Sequence, residues 1–260
     1  MLHELRLFLV ALQFLTRLPV PAWVGWRDEW LNASARHFAG VGLLLGSLAA
    51  LVLWLAAHVW PAPVAVLLSM AFTIWVTGAF HEDGLADTCD GLGGAVSRDR
   101  ALLIMKDSRL GTYGVVGLAL VLALKAAALH GLATRDWAAT LVALPLAHCW
   151  SRTATVVLLR WLPYGGDAEH AKAKPMAQQI DGLGLLVALV WAVLAAGVAA
   201  LYVPATVLAA AAISVLIVTL WMAHRLQRRL GGYTGDTLGA TQQFSELAVY
   251  LAALAVLSWG

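Results

Sequence analysis

The segment Phe80-His81-Glu82-Asp83-Gly84-Leu85-Ala86-Asp87-Thr88-Cys89-Asp90-Gly91 sets four carboxylates directly after an uncharged apolar run long enough to enter a bilayer. A carboxylate at the edge of hydrocarbon is costly unless it is paired, hydrated or holding a cation. A divalent metal would supply that cation. In a helix, Asp83, Asp87 and Asp90 stand at i, i+4 and i+7, within an arc of roughly 60° at about 100° per residue. Glu82 falls about 100° away, at the rim, so it is a supporting group more readily than a fourth ligand. All-oxygen ligands suit Mg²⁺ or Mn²⁺ better than zinc, and Mg²⁺ in such sites commonly shares its shell with substrate phosphates.

Two glycine-rich segments extend this chemistry. Met105-Lys106-Asp107-Ser108-Arg109-Leu110-Gly111-Thr112-Tyr113-Gly114 joins two cations to glycines just ahead of a helix, where backbone N–H groups and the positive helix end can hold an anion. The plainer reading of Lys106 and Arg109 is a topological anchor. Leu230-Gly231-Gly232-Tyr233-Thr234-Gly235-Asp236-Thr237-Leu238-Gly239 is a candidate second lip of the site. There Thr234 is a substrate contact, and Asp236 a further metal ligand or a carboxylate that orients the nucleophile. Arg152 lies inside an apolar run, about 13 Å from its cytoplasmic end at about 1.5 Å per residue. It either binds phosphate from a cytoplasm-facing cavity or forms a buried ion pair. Lys125 is placed to neutralise a carboxylate inside the bundle and His130 to sit at the outer interface, neither in catalysis. His81 reads as a local hydrogen-bonding group or a support for the site, Glu246 as a site residue or a helix-start acid.

These residues need a membrane scaffold. Of 260 residues, 61% are hydrophobic and 12% charged, against about 25% charged in soluble domains, and the mean hydropathy is +0.79. That predicts an all-α integral membrane helical bundle, with no second soluble domain. A formal charge of +2 argues for neither nucleic acid nor an acidic polymer as partner. Cys89 and Cys149 are far apart and imply no disulfide framework. The N-terminus lacks the basic start and small-residue cleavage site of a signal peptide.

About seven spans are expected: Phe38 to Trp60, Val64 to Phe80, Val115 to Leu132, Trp137 to Trp161, Leu183 to Tyr202, Ala205 to Met222 and Leu247 to Trp259. Residues 1–35 read as an interfacial amphipathic segment, with Trp23, Trp26 and Trp30 at headgroup depth, and 36–260 as the polytopic catalytic domain. Arg6, Arg17, Arg27 and Arg36 precede the first span, and Arg98, Arg100, Lys106 and Arg109 follow the second. Lys172 and Lys174 follow the fourth, and Arg225, Arg228 and Arg229 the sixth, while the intervening loops are nearly bare. The positive-inside rule then puts the N-terminus and the polar loops in the cytoplasm and the C-terminus outside.

Phe14-Leu15-Thr16-Arg17-Leu18-Pro19-Val20-Pro21, the acidic segment from His81 to Gly91, Ser97-Arg98-Asp99-Arg100, Met105 to Gly111 and Gly231 to Ala240 together resemble, in matching order, the cobalamin synthase (adenosylcobinamide-GDP ribazoletransferase) family. The resemblance implies a Mg²⁺-dependent enzyme of the cytoplasmic (inner) membrane in the last steps of cobalamin biosynthesis. Its members join α-ribazole, or its 5'-phosphate, to adenosylcobinamide-GDP and release GMP. A homo-oligomer is compatible with this. On that reading Asp83, Asp87 and Asp90 hold metal, Lys106, Arg109 and Arg152 neutralise phosphate, and Asp236 is ligand or base. Position 82 is often apolar in the family, and the segment from Tyr164 to Lys174 departs from its pattern, leaving Asp167, Glu169 and His170 without a role. A CDP-alcohol phosphatidyltransferase shares an acidic Asp-Gly helix but wants an Ala-Arg pair where this chain has Ala86 and Asp87. A cation transporter would show internal repeats and midplane acids.

Overall fold

The computed structural model describes residues 2–94, 97–166 and 177–259. Asp167, Glu169, His170, Lys172 and Lys174 lie outside the described residues. The described chain is helical, joined by short loops, with one isolated bridge between Tyr164 and Tyr233. The helices are α1 (Leu2–Leu15), α2 (Asp28–Ser34), α3 (Phe38–Ala56), α4 (Ala62–Thr77), α5 (Phe80–Gly94), α6 (Arg98–Met105), α7 (Thr112–Arg135), α8 (Trp137–Trp161), α9 (Gly182–Ala199), α10 (Ala205–Leu230) and α11 (Gly235–Trp259).

Among the described residues six stretches are long and apolar enough to cross a membrane, namely Glu29–Ala56 and helices α7 to α11, and the bent pair α4 and α5 makes a seventh if counted as one span. The chain is therefore a multi-pass membrane protein, an all-α bundle as its composition predicts. Helix α8 runs through the middle and packs along α3. A Cβ on Gly46 of α3 would lie 2.5 Å from the Cα of Pro145. Small residues at such crossings let membrane helices approach closely where no hydrophobic force drives them together. Helix α1 buries Leu7, Val10, Ala11, Leu12 and Leu15, and Glu4 reaches Arg36 at 3.3 Å and His37 at 3.0 Å.

The second expected span, Val64 to Phe80, is broken. Gly78 (φ 68°) and Ala79 (φ 58°) both adopt the left-handed region, which ends α4 at Thr77 and turns the chain by 88° into α5. Gly78 enters this region freely, whereas Ala79 does so at a cost of about 1 to 2 kcal/mol. The acidic segment is therefore the second arm of a bent hairpin and not the sequel to a finished crossing.

The last span, expected from Leu247, begins twelve residues earlier at Gly235. Its polar residues Gln242, Gln243 and Glu246 are buried and hydrogen-bonded inside the bundle, so they do not mark its end. Helix α10 likewise runs past Met222 to Leu230, carrying Arg228 and Arg229 in its last turn, where the helix dipole favours cations.

Candidate functional site

The bend at Gly78 and Ala79 aims the first half of α5 into a cavity of about 640 Å³. Glu82, Asp83 and Asp87 line one wall, Lys106, Asp107 and Ser108 a second, and Thr234, Gly235 and Asp236 a third. Ala79, Tyr164 and Gly166 complete its rim. The volume is within the range of about 300 to 1,000 Å³ usual for small-molecule sites. Six of the nine residues singled out from sequence thus meet in one place: Glu82, Asp83, Asp87, Lys106, Thr234 and Asp236.

Close contact between α5 and α11 brings the two acidic walls together. A Cβ on Gly84 would lie 2.7 Å from the carbonyl oxygen of Asp236, and one on Gly239 would lie 3.2 Å from the carbonyl oxygen of His81. The start of α11 is set by a reciprocal threonine pair. The Thr234 N–H donates to Thr237 Oγ1 at 2.8 Å, and the Thr237 N–H to Thr234 Oγ1 at 3.3 Å. That leaves the first turn of α11, its positive end, facing the cavity with Gly235 and Asp236.

The rim loops are braced by backbone bonds. Gly165 N–H donates to the Tyr233 carbonyl at 2.7 Å and Tyr233 N–H to the Pro163 carbonyl at 3.0 Å. Arg98 ties both loops to α6, donating from Nε to the Leu230 carbonyl at 2.9 Å and from Nη2 to the Gly165 carbonyl at 2.7 Å. The buried Tyr233 hydroxyl donates to the Gln178 carbonyl at 2.8 Å, and burial pushes its phenol up from the usual value.

Three residues named from sequence sit elsewhere. Asp90, one turn beyond Asp87, faces the start of α7. Its Oδ2 accepts from the Gly111 N–H and its Oδ1 from the Gly114 N–H, each at 2.8 Å. Both oxygens serve as the N-terminal cap of that helix. Sequence spacing fixed the arc but not the neighbour, because a carboxylate that caps a helix and one that faces a ligand obey the same periodicity.

Arg109 is 87% exposed and paired with Asp107 at 2.6 Å. It is not among the cavity residues, and its guanidinium holds the Asp107 carboxyl down to about 2. Arg152 is 2% exposed and its Nη1 donates to the His148 carbonyl at 3.0 Å. It borders a separate, smaller apolar pocket with Phe14, Phe38 and Phe80. It does not line the main cavity, and among the described residues no carboxylate stands within 4 Å of it.

Below the cavity lies a polar chain that sequence reading found only in part. Lys125 meets Glu246 at 2.6 Å, the internal neutralisation expected of Lys125. Glu246 is neither a cavity residue nor a helix-start acid but sits in mid-helix, accepting from Gln242 at 2.6 Å and from the Tyr250 hydroxyl at 3.2 Å. The available signal was the spacing of Gln242, Glu246 and Tyr250 at i, i+4 and i+8, one face of a helix.

Among the described residues, no three His, Cys, Asp or Glu side chains are grouped closely enough to hold a metal by themselves. The donor set at the cavity is nevertheless all oxygen, from Asp83, Asp87 and Asp236. Mg²⁺ is usually held by one or two carboxylates together with water and substrate phosphates, not by a complete protein cage, so these residues fit such an ion.

Comparison with known proteins identifies the scaffold. A family model described as cobalamin-5-phosphate synthase matches residues 7–254. The chain is 62% identical to a protein of Leptothrix cholodnii named adenosylcobinamide-GDP ribazoletransferase, over 98% of this chain and 97% of that one. It is 45% identical to the protein of that name from Shewanella frigidimarina, over 98% and 96%, and 42% identical to that from Vibrio cholerae, over 98% and 95%. No solved structure matches the chain. A family match from residue 7 to residue 254, with relatives alike over nearly their whole length, makes this chain a member of the cobalamin-5-phosphate synthase family.

Proposed function

We propose that the chain is an adenosylcobinamide-GDP ribazoletransferase whose reaction takes place in the cavity between α5, α6 and α11. The observation that carries this is the meeting of Asp83, Asp87, Lys106 and Asp236, from three separate helical segments, around one volume large enough for phosphates. Membership of the family displaces the phosphatidyltransferase and cation-transporter alternatives.

In this reading the hydroxyl of α-ribazole, free or as its 5'-phosphate, attacks the phosphorus next to cobinamide. The new P–O bond replaces the bond to the GMP phosphate, GMP leaves, and the hydroxyl proton passes to a carboxylate. Asp236 lines the same cavity from α11, next to the α5 wall that carries Asp83 and Asp87, and is the group to take that proton. Lys106 and the positive end of α11 offset the charge of the phosphate oxygens. The braced rim loops and the closely packed α5 and α11 hold these groups in fixed positions before substrate arrives.

Asp83 and Asp87 would hold Mg²⁺, with Asp236 of α11 lining the same cavity. When bound, the ion supplies charge neutralisation on the phosphates and stabilises the leaving phosphate. The basic loops support a cavity on the cytoplasmic face of the inner membrane, where nucleotides are, with the C-terminus outside. Exposed positions Ser97 and Thr134 report this orientation. In a background lacking Cys89 and Cys149, a cysteine at Thr134 reacts with an impermeant maleimide from outside the cell, and one at Ser97 does not.

The activity itself is tested with purified protein in lipid, given adenosylcobinamide-GDP, α-ribazole and Mg²⁺. Release of GMP with a changed corrinoid spectrum is expected, and its absence sinks the proposal.

A further inference from the structure

One group on the cavity has no part in the roles above. Glu82 lines the cavity and is only 8% exposed. Its Oε1 accepts from Gln243 Nε2 at 2.9 Å, while its Oε2 is buried without a hydrogen-bond partner. An ionised carboxylate oxygen can only accept, and a buried acceptor left unmatched is costly. Among the described residues none supplies a donor for Oε2, and Glu82 lines the cavity, so a group bound there is in position to supply one.

Gln243 is held so that it cannot release Glu82. Its Oε1 accepts from Lys125 Nζ at 3.0 Å, and its Nε2 also donates to Gln242 Oε1 at 2.9 Å. Gln242 is fixed in turn by Glu246 at 2.6 Å and Ser151 at 3.1 Å. Turning the Gln243 amide over would set its oxygen against the Glu82 carboxylate and its NH₂ against the Lys125 ammonium. The chain therefore has one low-energy arrangement, and that arrangement points Glu82.

We propose that Glu82 is a substrate-contacting residue that accepts a hydrogen bond from a neutral N–H or O–H group, and that Gln243 is the positioning residue that aims it. A neutral donor fits better than a further cation, because Lys125 already pairs with Glu246 at 2.6 Å and reaches Glu82 through Gln243, and the Arg152 guanidinium acts on both carboxylates through space without a direct ion pair. The inference rests on the transferase reading. On that reading two sources carry such a donor, an amide of the corrinoid and a sugar hydroxyl of ribazole.

The test uses the full chain in lipid, with each substrate supplied alone for a melting-temperature shift and both together for kinetics. Glu82→Met should raise the KM of one substrate at least tenfold and shrink the melting shift that this substrate produces. It should leave kcat, the other KM and the Mg²⁺ concentration for half-activity within about twofold. Gln243→Met should move the same KM in the same direction by less, and Glu82→Gln, which keeps one acceptor, should fall between. The substrate affected identifies the donor.

Unchanged KM values in Glu82→Met and Gln243→Met, or a raised Mg²⁺ requirement in their place, overturn the inference while leaving the transferase reading intact. A wild-type protein stabilised by neither substrate overturns both.

Discussion

Gly84 has no side chain where α5 meets Asp236, and a Cβ there would lie 2.7 Å from the Asp236 carbonyl oxygen. Alanine favours a helix over glycine by about 1 kcal/mol, but backbone overlap of this kind costs about 1 to 3 kcal/mol and separates the acidic walls. Gly84→Ala should therefore lower the melting temperature slightly and turnover by more than tenfold. Gly197→Ala, where an added Cβ meets nothing within 4 Å, serves as the control and should leave both unchanged or raise stability. Equal activity of the two variants would show that the approach of α5 to α11 does not set the site.

Asp90 holds the start of α7, so its loss should read first as a loss of stability. Removing a carboxylate that accepts two backbone N–H groups costs about 2 kcal/mol, on the order of 4 to 8 °C in melting temperature. Asp90→Ala should show that full drop and Asp90→Asn, which keeps one acceptor oxygen, about half. A variant that melts like wild type but needs more Mg²⁺ would return Asp90 to the metal site.

The two cations of the loop after α6 should separate. Arg109, 87% exposed and turned to Asp107, is replaceable, and Arg109→Lys should keep turnover within about twofold. Lys106 lines the cavity, and Lys106→Met should lose roughly tenfold to a hundredfold, the worth of one charged hydrogen bond of about 1.5 to 3 kcal/mol. The Arg109 guanidinium lowers the Asp107 carboxyl from 3.8 to about 2. A depressed carboxyl contributes stability above its unfolded value and loses that contribution only as pH falls through the folded one. Between pH 5 and 9 the rate profile of Arg109→Lys should therefore overlay that of wild type. A new inflection in that window would show that the pair acts on the reaction.

Lys125 and Glu246 are both nearly buried and 2.6 Å apart. Breaking such a pair from one side leaves an uncompensated charge, typically about 3 to 5 kcal/mol. Lys125→Met alone should sharply reduce folded protein recovered from membranes, and Lys125→Met with Glu246→Gln should recover most of it. Failure of the double variant to recover would mean that the surrounding amides, not the charge pair, dominate.

Much of this was legible from sequence because bilayer constraints are one-dimensional. Apolar length gave α7 to α9 nearly to their ends and the start of α10, and the polar clusters gave Asp83, Asp87, Lys106 and Asp236 as one site. What escaped depended on partners distant in sequence. The bend of α4 into α5 rests on Ala79 in a conformation that alanine rarely adopts. The early start of α11 rests on Gln242 and Gln243 finding partners across the bundle. Arg152 looked like a phosphate ligand because depth along a helix is readable, whereas the direction in which a side chain leaves that helix is not.

The central claim is that the acids on α5 and α11 carry out nucleotide transfer in one cavity. The most direct measurement is GMP release by lipid-reconstituted protein given both substrates, with Asp83→Asn, Asp87→Asn and Asp236→Asn beside wild type. Wild type should release GMP, stop with EDTA and recover with Mg²⁺, while each variant folds with a near wild-type melting temperature and loses at least a hundredfold in rate. GMP release by any two of these variants at close to the wild-type rate, or release indifferent to EDTA, would contradict the account.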